Sequence, residues 1–282
     1  TWLYFEWVCG GQGFLSKGIY MPMSLPQGMQ MYFQKFALGE MPYKAFDQWL
    51  CSHAAQLEEH MADEAYLNLI STNFNVFEER LSARRLVASV LQEKEMTSWI
   101  KELEKKVSQT LKQIEQVFHG VSREGGISLS QAGVLDKGGA HNEFVSVALF
   151  DVDKCWQDVP DSEIVHHAEA LLFLDEIGIR YYLPAYMVFA LKNSGVEKGA
   201  TNMDFSWSIH MILVTLSSPC QERNERFQLF SLQQKEVVCQ FLALMMIHPI
   251  GIGADYHEAA YTAMTTYWKR FYKESEGFKL ST

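Results

Sequence analysis

Cysteine is scarce in this chain of 282 residues, and its placement is irregular. The five cysteines are Cys9, Cys51, Cys155, Cys220 and Cys239, and no two of them form a C-x-x-C pair. An odd number of widely spaced thiols fits neither a disulfide framework nor a zinc knuckle. The pattern is typical of reduced thiols in a reducing compartment, so we expect a cytoplasmic protein.

Basic residues are fewer than acidic residues. The chain has 24 Lys and Arg against 34 Asp and Glu, which gives a formal net charge of −10. Binding to nucleic acid without sequence preference requires clustered Lys and Arg that neutralise phosphates. The balance therefore predicts no nucleic-acid partner and favours a basic protein partner, although acidity is also common among soluble proteins.

Long apolar runs are absent. The longest one begins at Val237 and is interrupted by Gln240, His248 and Pro249, so no segment is predicted to span a membrane. The first twenty residues are rich in aromatic side chains but lack the basic start and long apolar stretch of a signal peptide. Because methionines follow at positions 21 and 23, we interpret residues 1–20 as an upstream or non-native extension.

Motifs for catalysis and for cofactor binding are missing as well. The chain contains no G-x-S-x-G elbow, and its glycine-rich stretches CGGQGF and GIGADY lack the spacing of a dinucleotide or P-loop fingerprint. Glu163 and His166 form a single E-x-x-H, whereas di-iron bundles need that motif twice. We expect no catalytic residues, no cofactor and no metal, with Glu163 and His166 as an incomplete metal motif.

The sequence does contain helical periodicity from end to end. Between residues 96 and 118 the apolar positions recur every three or four residues, at Ile100, Leu103, Val107, Leu111, Ile114 and Phe118. This spacing predicts one long amphipathic helix. The alternation of strands and helices that builds parallel sheets is absent, as are internal repeats.

The periodicity predicts a mainly α-helical, two-domain protein. We expect a small helical bundle over residues 21–95, a connecting helix over 96–118, and a larger helical domain over 119–282. Residues 129–135 predict a short helix inside a glycine-rich loop. The apolar segment 205–217 fits either a helix or a strand.

The stretch RYYLPAYMVFALKN, Arg180–Asn193, has two interpretations. In the structural one, Pro184 begins a helix because its fixed φ suits a first turn, and the residues before it are extended. Gly178 then ends the preceding helix, and Arg180 pairs with Asp175 or Glu176.

In the functional interpretation, the stretch lines a pocket or an interface, because Arg, Tyr and Trp commonly anchor recognition surfaces. The candidate binding residues are Trp156, Asp158, Arg180, Tyr181, Tyr182 and Tyr186. The sequence alone leaves both interpretations open.

Two resemblances bear on function. The segments CWQDVPDSEI (155–164) and ALLFLDEIGIRYYLPAYMVFAL (170–191) carry the pattern W-x-D-V-P-D followed by F-L-D-x-x-G-x-R-Y-Y-L-P-A-Y-M. Over about residues 112–271, the chain resembles a family of bacterial proteins of unknown function. That resemblance implies a shared fold and assigns no activity.

The second resemblance covers residues 29–95, where the chain reads FALGEMPYKAFDQW and YLNLISTNF. These segments resemble short helical bacterial proteins that are found near toxin and immunity loci. The resemblance implies a non-enzymatic, immunity-type protein that neutralises a toxin by occluding it. The alternative is an enzyme or a small-ligand-binding protein with a pocket around Trp156, Asp158, Arg180 and Tyr182.

Overall fold

A computed structural model describes residues 25–93, 97–147, 154–193, 203–217, 225–247 and 255–273. Within these ranges the chain forms twelve α-helices and three 3-10 helices, and no strand lies among them. The α-helices are α1 (Gln27–Ala37), α2 (Tyr43–Glu58), α3 (Asp63–Ile70), α4 (Phe77–Glu93), α5 (Thr97–Val117), α6 (Leu129–Asp136), α7 (His141–Val147), α8 (Asp161–His166), α9 (Glu176–Asn193), α10 (Met203–Ser217), α11 (Leu232–Met245) and α12 (Asp255–Thr266). The 3-10 helices span Trp156–Asp158, Ala168–Leu172 and Trp268–Phe271. The predicted mainly α-helical fold class is confirmed.

The first four helices pack around an aromatic cluster. In α1, Met29, Phe33 and Phe36 are buried because their spacing of four and three places them on one face. The ring of Phe36 stacks on that of Phe46 in α2, with centroids 3.8 Å apart. Helix α4 then packs along α1 and closes this group.

Helix α5 is the predicted long amphipathic helix, with a correction at its start. Its buried face begins at Trp99 and continues through Leu103, Ile114 and the following Phe118. Ile100, which the apolar pattern placed on that face, is 49% exposed. This face packs on α9 and α11, so α5 lies at the centre of the molecule.

Helix α9 corrects the structural interpretation of Arg180–Asn193. It runs from Glu176 to Asn193 with Pro184 inside it, so the proline does not begin the helix and Arg180 to Leu183 are helical. Gly178 lies in its first turn and does not end the helix before it. The side chains of α9 are buried nearly all round, as in a core helix, and this burial outweighs the local signals from proline and glycine. No described helix, α9 included, is long and apolar enough to cross a membrane.

Three other segments for which the sequence predicted or allowed a helix are helical. The segment of ambiguous type belongs to α10, which is α-helical. Ser231 and Gln234 form the capping box that starts α11, and α6 occupies the place where a short helix is expected. Tyr186 and Phe189 face the core as the structural interpretation requires.

A single cluster of buried side chains extends from Leu25 to Trp268. Helix α4 contributes to its continuity because it meets the end of the described chain: the ring centroids of Phe77 and Tyr272 lie 6.1 Å apart. Lys269 Nζ also lies 2.9 Å from Glu78 Oε1. The division into domains at residues 95 and 118 stays a prediction, and residues 1–20 lie outside the described ranges.

Candidate functional site

Most of the aromatic side chains proposed for a binding site lie in the core. Trp156, Tyr181, Tyr182 and Tyr186 are buried. The indole Nε1 of Trp156 donates a hydrogen bond to the Phe118 carbonyl at 3.0 Å, and the Tyr186 hydroxyl donates to the His167 carbonyl at 2.7 Å. These hydrogen bonds satisfy buried polar groups and hold neighbouring segments together.

Asp158 is exposed at the end of the first 3-10 helix. A hydrogen bond between its carboxylate and the Cys155 thiol, together with burial, raises the pKa of that thiol. A raised pKa makes a thiol less nucleophilic at neutral pH. The raised pKa therefore disfavours Cys155 as a nucleophile at neutral pH.

Arg180 differs from its neighbours because it lines a cavity. We call this cavity the Arg180 cleft; its volume is about 470 Å³. It lies between the end of α5, the loop that follows it, and the first turns of α9 and α11. Its polar walls come from His119, Ser122, Glu124, Arg180, Ser231 and Gln234.

Gln234 holds Arg180 in place. The guanidinium Nε of Arg180 donates to Gln234 Oε1 at 3.3 Å, and Gln234 is only 2% exposed. The amide of Gln234 also donates to the Val117 carbonyl at 3.1 Å and accepts from the Ser231 N–H at 3.0 Å. The capping box therefore also orients the arginine at the wall of the cleft.

The predicted ion pair between Arg180 and Asp175 or Glu176 is wrong. Asp175 Oδ1 instead accepts hydrogen bonds from the N–H groups of Ile127, at 3.1 Å, and Gly178, at 2.8 Å. Among the described residues, Arg180 makes the single hydrogen bond to Gln234 and no ion pair. Its remaining N–H groups are left to the solvent of the cleft or to a ligand.

Two glycines allow the loop beside the cleft to approach α9. A Cβ on Gly178 would lie 2.5 Å from the Ile127 carbonyl oxygen, and a Cβ on Gly126 would lie 2.8 Å from the Gly178 nitrogen. Neither position has room for a side chain. The glycine pattern thus indicates a close backbone approach here.

Glu163 and His166 do not form a pair. Glu163 Oε2 lies 3.5 Å from Nε2 of His167, the next residue along, and His166 is exposed. Within the described ranges, no three His, Cys, Asp or Glu side chains form a group that could hold a metal ion.

An acidic surface lies at the junction of α2 and α3. Residues 45–79 contain seven acidic residues and no Lys or Arg. Five of these acids are exposed, and the four that lie at the junction are called the acidic corner: Glu58, Glu59, Asp63 and Glu64. None of the four makes an ion pair with the described part of the chain.

Exposed apolar side chains lie on the same helix as half of the acidic corner. Leu67 is 58% exposed and Ile70 is 40% exposed. Leu67 follows Asp63 by one helical turn, and Ile70 follows Leu67 by three residues, so these side chains share a face of α3. Sequence reasoning missed this surface, although the lack of Lys and Arg over residues 45–79 was an available signal.

The comparisons with known proteins give one match. No curated protein and no solved structure matches the chain. The model of a family described as "Family of unknown function (DUF6714)" matches residues 106–271, more than half of the chain. The match includes every residue of the Arg180 cleft, whereas the acidic corner lies outside it. It confirms the expected kinship with a family of unknown function: the chain belongs to the DUF6714 family.

Proposed function

We propose that this chain is a non-enzymatic binding protein of the immunity type, which occludes a basic protein partner with its acidic corner. One observation carries the proposal: four exposed carboxylates without ion pairs lie beside the exposed Leu67 and Ile70. The resemblance of residues 29–95 to immunity-like proteins covers the same surface.

The physical argument combines steering and anchoring. A surface that carries one sign of charge attracts an oppositely charged partner and raises the association rate at low salt. Apolar side chains at the centre of such a surface then contribute most of the binding free energy when they are desolvated. Leu67 and Ile70 fill that second role, and the four carboxylates fill the first.

The test uses the protein encoded by the neighbouring gene as the probe. The two proteins are co-expressed, with growth and complex formation as the readouts. A variant with Glu58→Lys, Asp63→Lys and Glu64→Lys should lose binding, with the largest loss in the association rate. Leu67→Ala should weaken binding by roughly tenfold or more while leaving thermal stability unchanged, because the side chain is exposed.

Glu104→Lys is the matched control, since Glu104 is an exposed acid on α5 and lies away from the acidic corner in sequence. It should leave binding within a factor of about two, as expected of a charge outside the interface. The proposal fails if the neighbour neither affects growth nor forms a complex. It also fails if the control weakens binding as much as the triple variant does.

A second function, small-ligand binding, is favoured by the Arg180 cleft. Here Arg180 presents N–H groups without protein partners to a cavity of about 470 Å³, a volume typical of small-molecule sites.

Arg180→Ala distinguishes the two functions. If it abolishes ligand binding and leaves the partner complex intact, the cleft is a separate ligand site. If it only lowers thermal stability, the arginine is structural. Tyr182→Phe is the companion variant; its ring is buried, so it should act on stability alone.

A further inference from the structure

Arg84 is a buried cation without a counter-charge. Its side chain lies on α4 and the residue is 3% exposed. Nη1 donates a hydrogen bond to the Tyr272 hydroxyl, whereas Nε and Nη2 are buried and have no hydrogen-bond partner. Burying a charge without pairing it is unfavourable in free energy. The guanidinium Cζ does lie 5.5 Å from the ring centroid of Phe36 and 5.8 Å from that of Tyr272, but these rings carry no negative charge. The missing counter-charge therefore indicates a site for an anion.

Arg84 lines a cavity of about 190 Å³, which we call the Arg84 cavity. It lies among the end of α1, α4, α5, α11 and the residues after the last 3-10 helix. Its polar lining consists of cations, amides and one hydroxyl: Arg84, Lys106, Gln109, Gln113, Gln240, Tyr272 and Lys273. No Asp or Glu is among the described residues that line it.

The two lysines have carboxylate partners of their own. Lys106 Nζ lies 3.6 Å from Glu40 Oε1, and Lys273 Nζ lies 2.5 Å from Glu236 Oε1. Neither glutamate lines the cavity. The lysines are thus positioned by ion pairs at the edge of the cavity, while the guanidinium of Arg84 remains uncompensated within it.

Gly39 makes room for the guanidinium. It has a φ of +70°, and a Cβ on it would lie 3.3 Å from both Arg84 Nη1 and the Tyr272 hydroxyl. Because Gly39 has no side chain, the backbone of the turn after α1 can lie close to the Arg84 guanidinium. The next residue, Glu40, directs its carboxylate to Lys106 and does not line the cavity.

We propose that the Arg84 cavity binds a small organic anion that carries a carboxylate or a phosphate. A guanidinium has N–H groups in a fixed planar arrangement that matches the oxygens of both groups. The three glutamine side chains add amide donors. The volume equals that of about six water molecules, which suits a compact anion rather than a nucleotide.

This site is independent of the acidic corner and of the Arg180 cleft. It joins α1 and α4, which lie outside the family match, to α11 and the second half of α5, which lie inside it. An anion bound here contacts all four helices and binds only the folded chain, so it stabilises the protein by mass action. Anion binding should therefore be visible as a rise in the melting temperature.

The experiment measures the thermal unfolding of the full chain with inorganic phosphate and, separately, with succinate. Each anion is compared with sodium chloride at equal ionic strength. At 10 mM, at least one of them should raise the melting temperature by about 3 °C. A response to phosphate alone identifies the bound group as a phosphate, and a response to succinate alone identifies it as a carboxylate.

Arg84→Met is the decisive variant and Arg85→Met is its matched control. Arg85 is the next residue on α4, is partly exposed, and pairs with Glu258 at 3.0 Å. Arg84→Met should abolish the anion response while retaining stability in chloride, because it removes an uncompensated charge. Arg85→Met should retain the response. Lys106→Met, at the edge of the cavity, should weaken anion binding by roughly tenfold, and it serves as the second test if Arg84→Met does not fold.

Two results would overturn the proposal. If neither anion raises the melting temperature of the wild-type chain above the chloride control, the charge of Arg84 is met by water or by the chain itself. If the melting temperature rises equally in wild type and in Arg84→Met, the effect is a general action of salt on folded proteins. If Arg84→Met does not fold, an equal rise in wild type and in Lys106→Met has the same meaning.

Discussion

Replacing Gln234 with leucine removes three hydrogen bonds that meet at one buried side chain. Gln234 accepts from the Ser231 N–H and from Arg180 Nε, and it donates to the Val117 carbonyl. Leucine has a similar volume but no polar atoms. The substitution therefore leaves the end of α5, the start of α11 and Arg180 without the group that connects them.

The magnitude follows from these contacts. Each hydrogen bond contributes about 1 kcal/mol net, so their loss destabilises the chain by about 3 kcal/mol. Burial of the leucine side chain offsets about 1 kcal/mol of this, which leaves a net loss of about 2 kcal/mol. For a chain of this size, that corresponds to a fall of about 4 to 8 °C in melting temperature.

Gln233→Leu provides the comparison, because Gln233 is the preceding residue of α11 and is exposed. A surface substitution of this kind should change stability by less than about 0.5 kcal/mol. Both variants are measured by thermal and urea unfolding with circular dichroism. If Gln234→Leu is as stable as Gln233→Leu, then water replaces the three hydrogen bonds, and Gln234 does not hold the wall of the Arg180 cleft.

Two further predictions concern buried titratable groups. Tyr186→Phe should cost about 1 kcal/mol at neutral pH, through loss of the hydrogen bond to His167. Burial raises the pKa of Tyr186 well above its ordinary value, so the stability that the hydroxyl contributes is complete below about pH 10, its pKa in the unfolded chain, and is lost as pH rises through the folded pKa. The difference in unfolding free energy between wild type and Tyr186→Phe, measured by urea unfolding, should therefore narrow over this pH range. A constant difference would contradict the argument. Burial also raises the pKa of Cys239, whose thiol donates to the Trp268 carbonyl at 3.3 Å. In mass spectrometry after iodoacetamide treatment of the native protein, the exposed Cys51 should be labelled and Cys239 should not, whereas early labelling of Cys239 would show that its site opens.

Helices whose signals are local could be predicted from the sequence. Helix α5 follows from a stripe of apolar residues at a regular spacing, and α11 begins where Ser231 and Gln234 form their capping box. In both cases the signal lies within a few residues of the structure that it predicts. The amphipathic face determines which side of the helix is buried, and the cap satisfies the first backbone N–H groups.

Predictions from local rules were wrong where tertiary burial was stronger. Pro184 lies inside α9, and Gly178 lies in its first turn. Twelve of the 18 residues of α9 are buried, and burial of one large apolar side chain contributes about 1.5 to 3 kcal/mol. Several such contributions exceed the cost of about 3 kcal/mol for a proline in a helix.

The candidate site was predicted only in part, because a sequence does not show which polar groups are paired. Arg180 does line a cavity, but its partner is Gln234, more than fifty residues away, and not the nearby acids. The tyrosines beside it are buried in the core. Burial of a polar side chain and the identity of its distant partner both depend on the packed chain.

The sequence by itself determined the mainly helical class, the acidic balance and the kinship over residues 106–271, because composition, periodicity and motif order are properties of the linear chain. Only the tertiary structure decided that Arg84 is buried without a counter-charge, that Gln234 orients Arg180, and that Leu67 is exposed beside the acidic corner. These features arise when residues far apart in the chain pack together, and the free energy of each charge is set by the neighbours that packing provides.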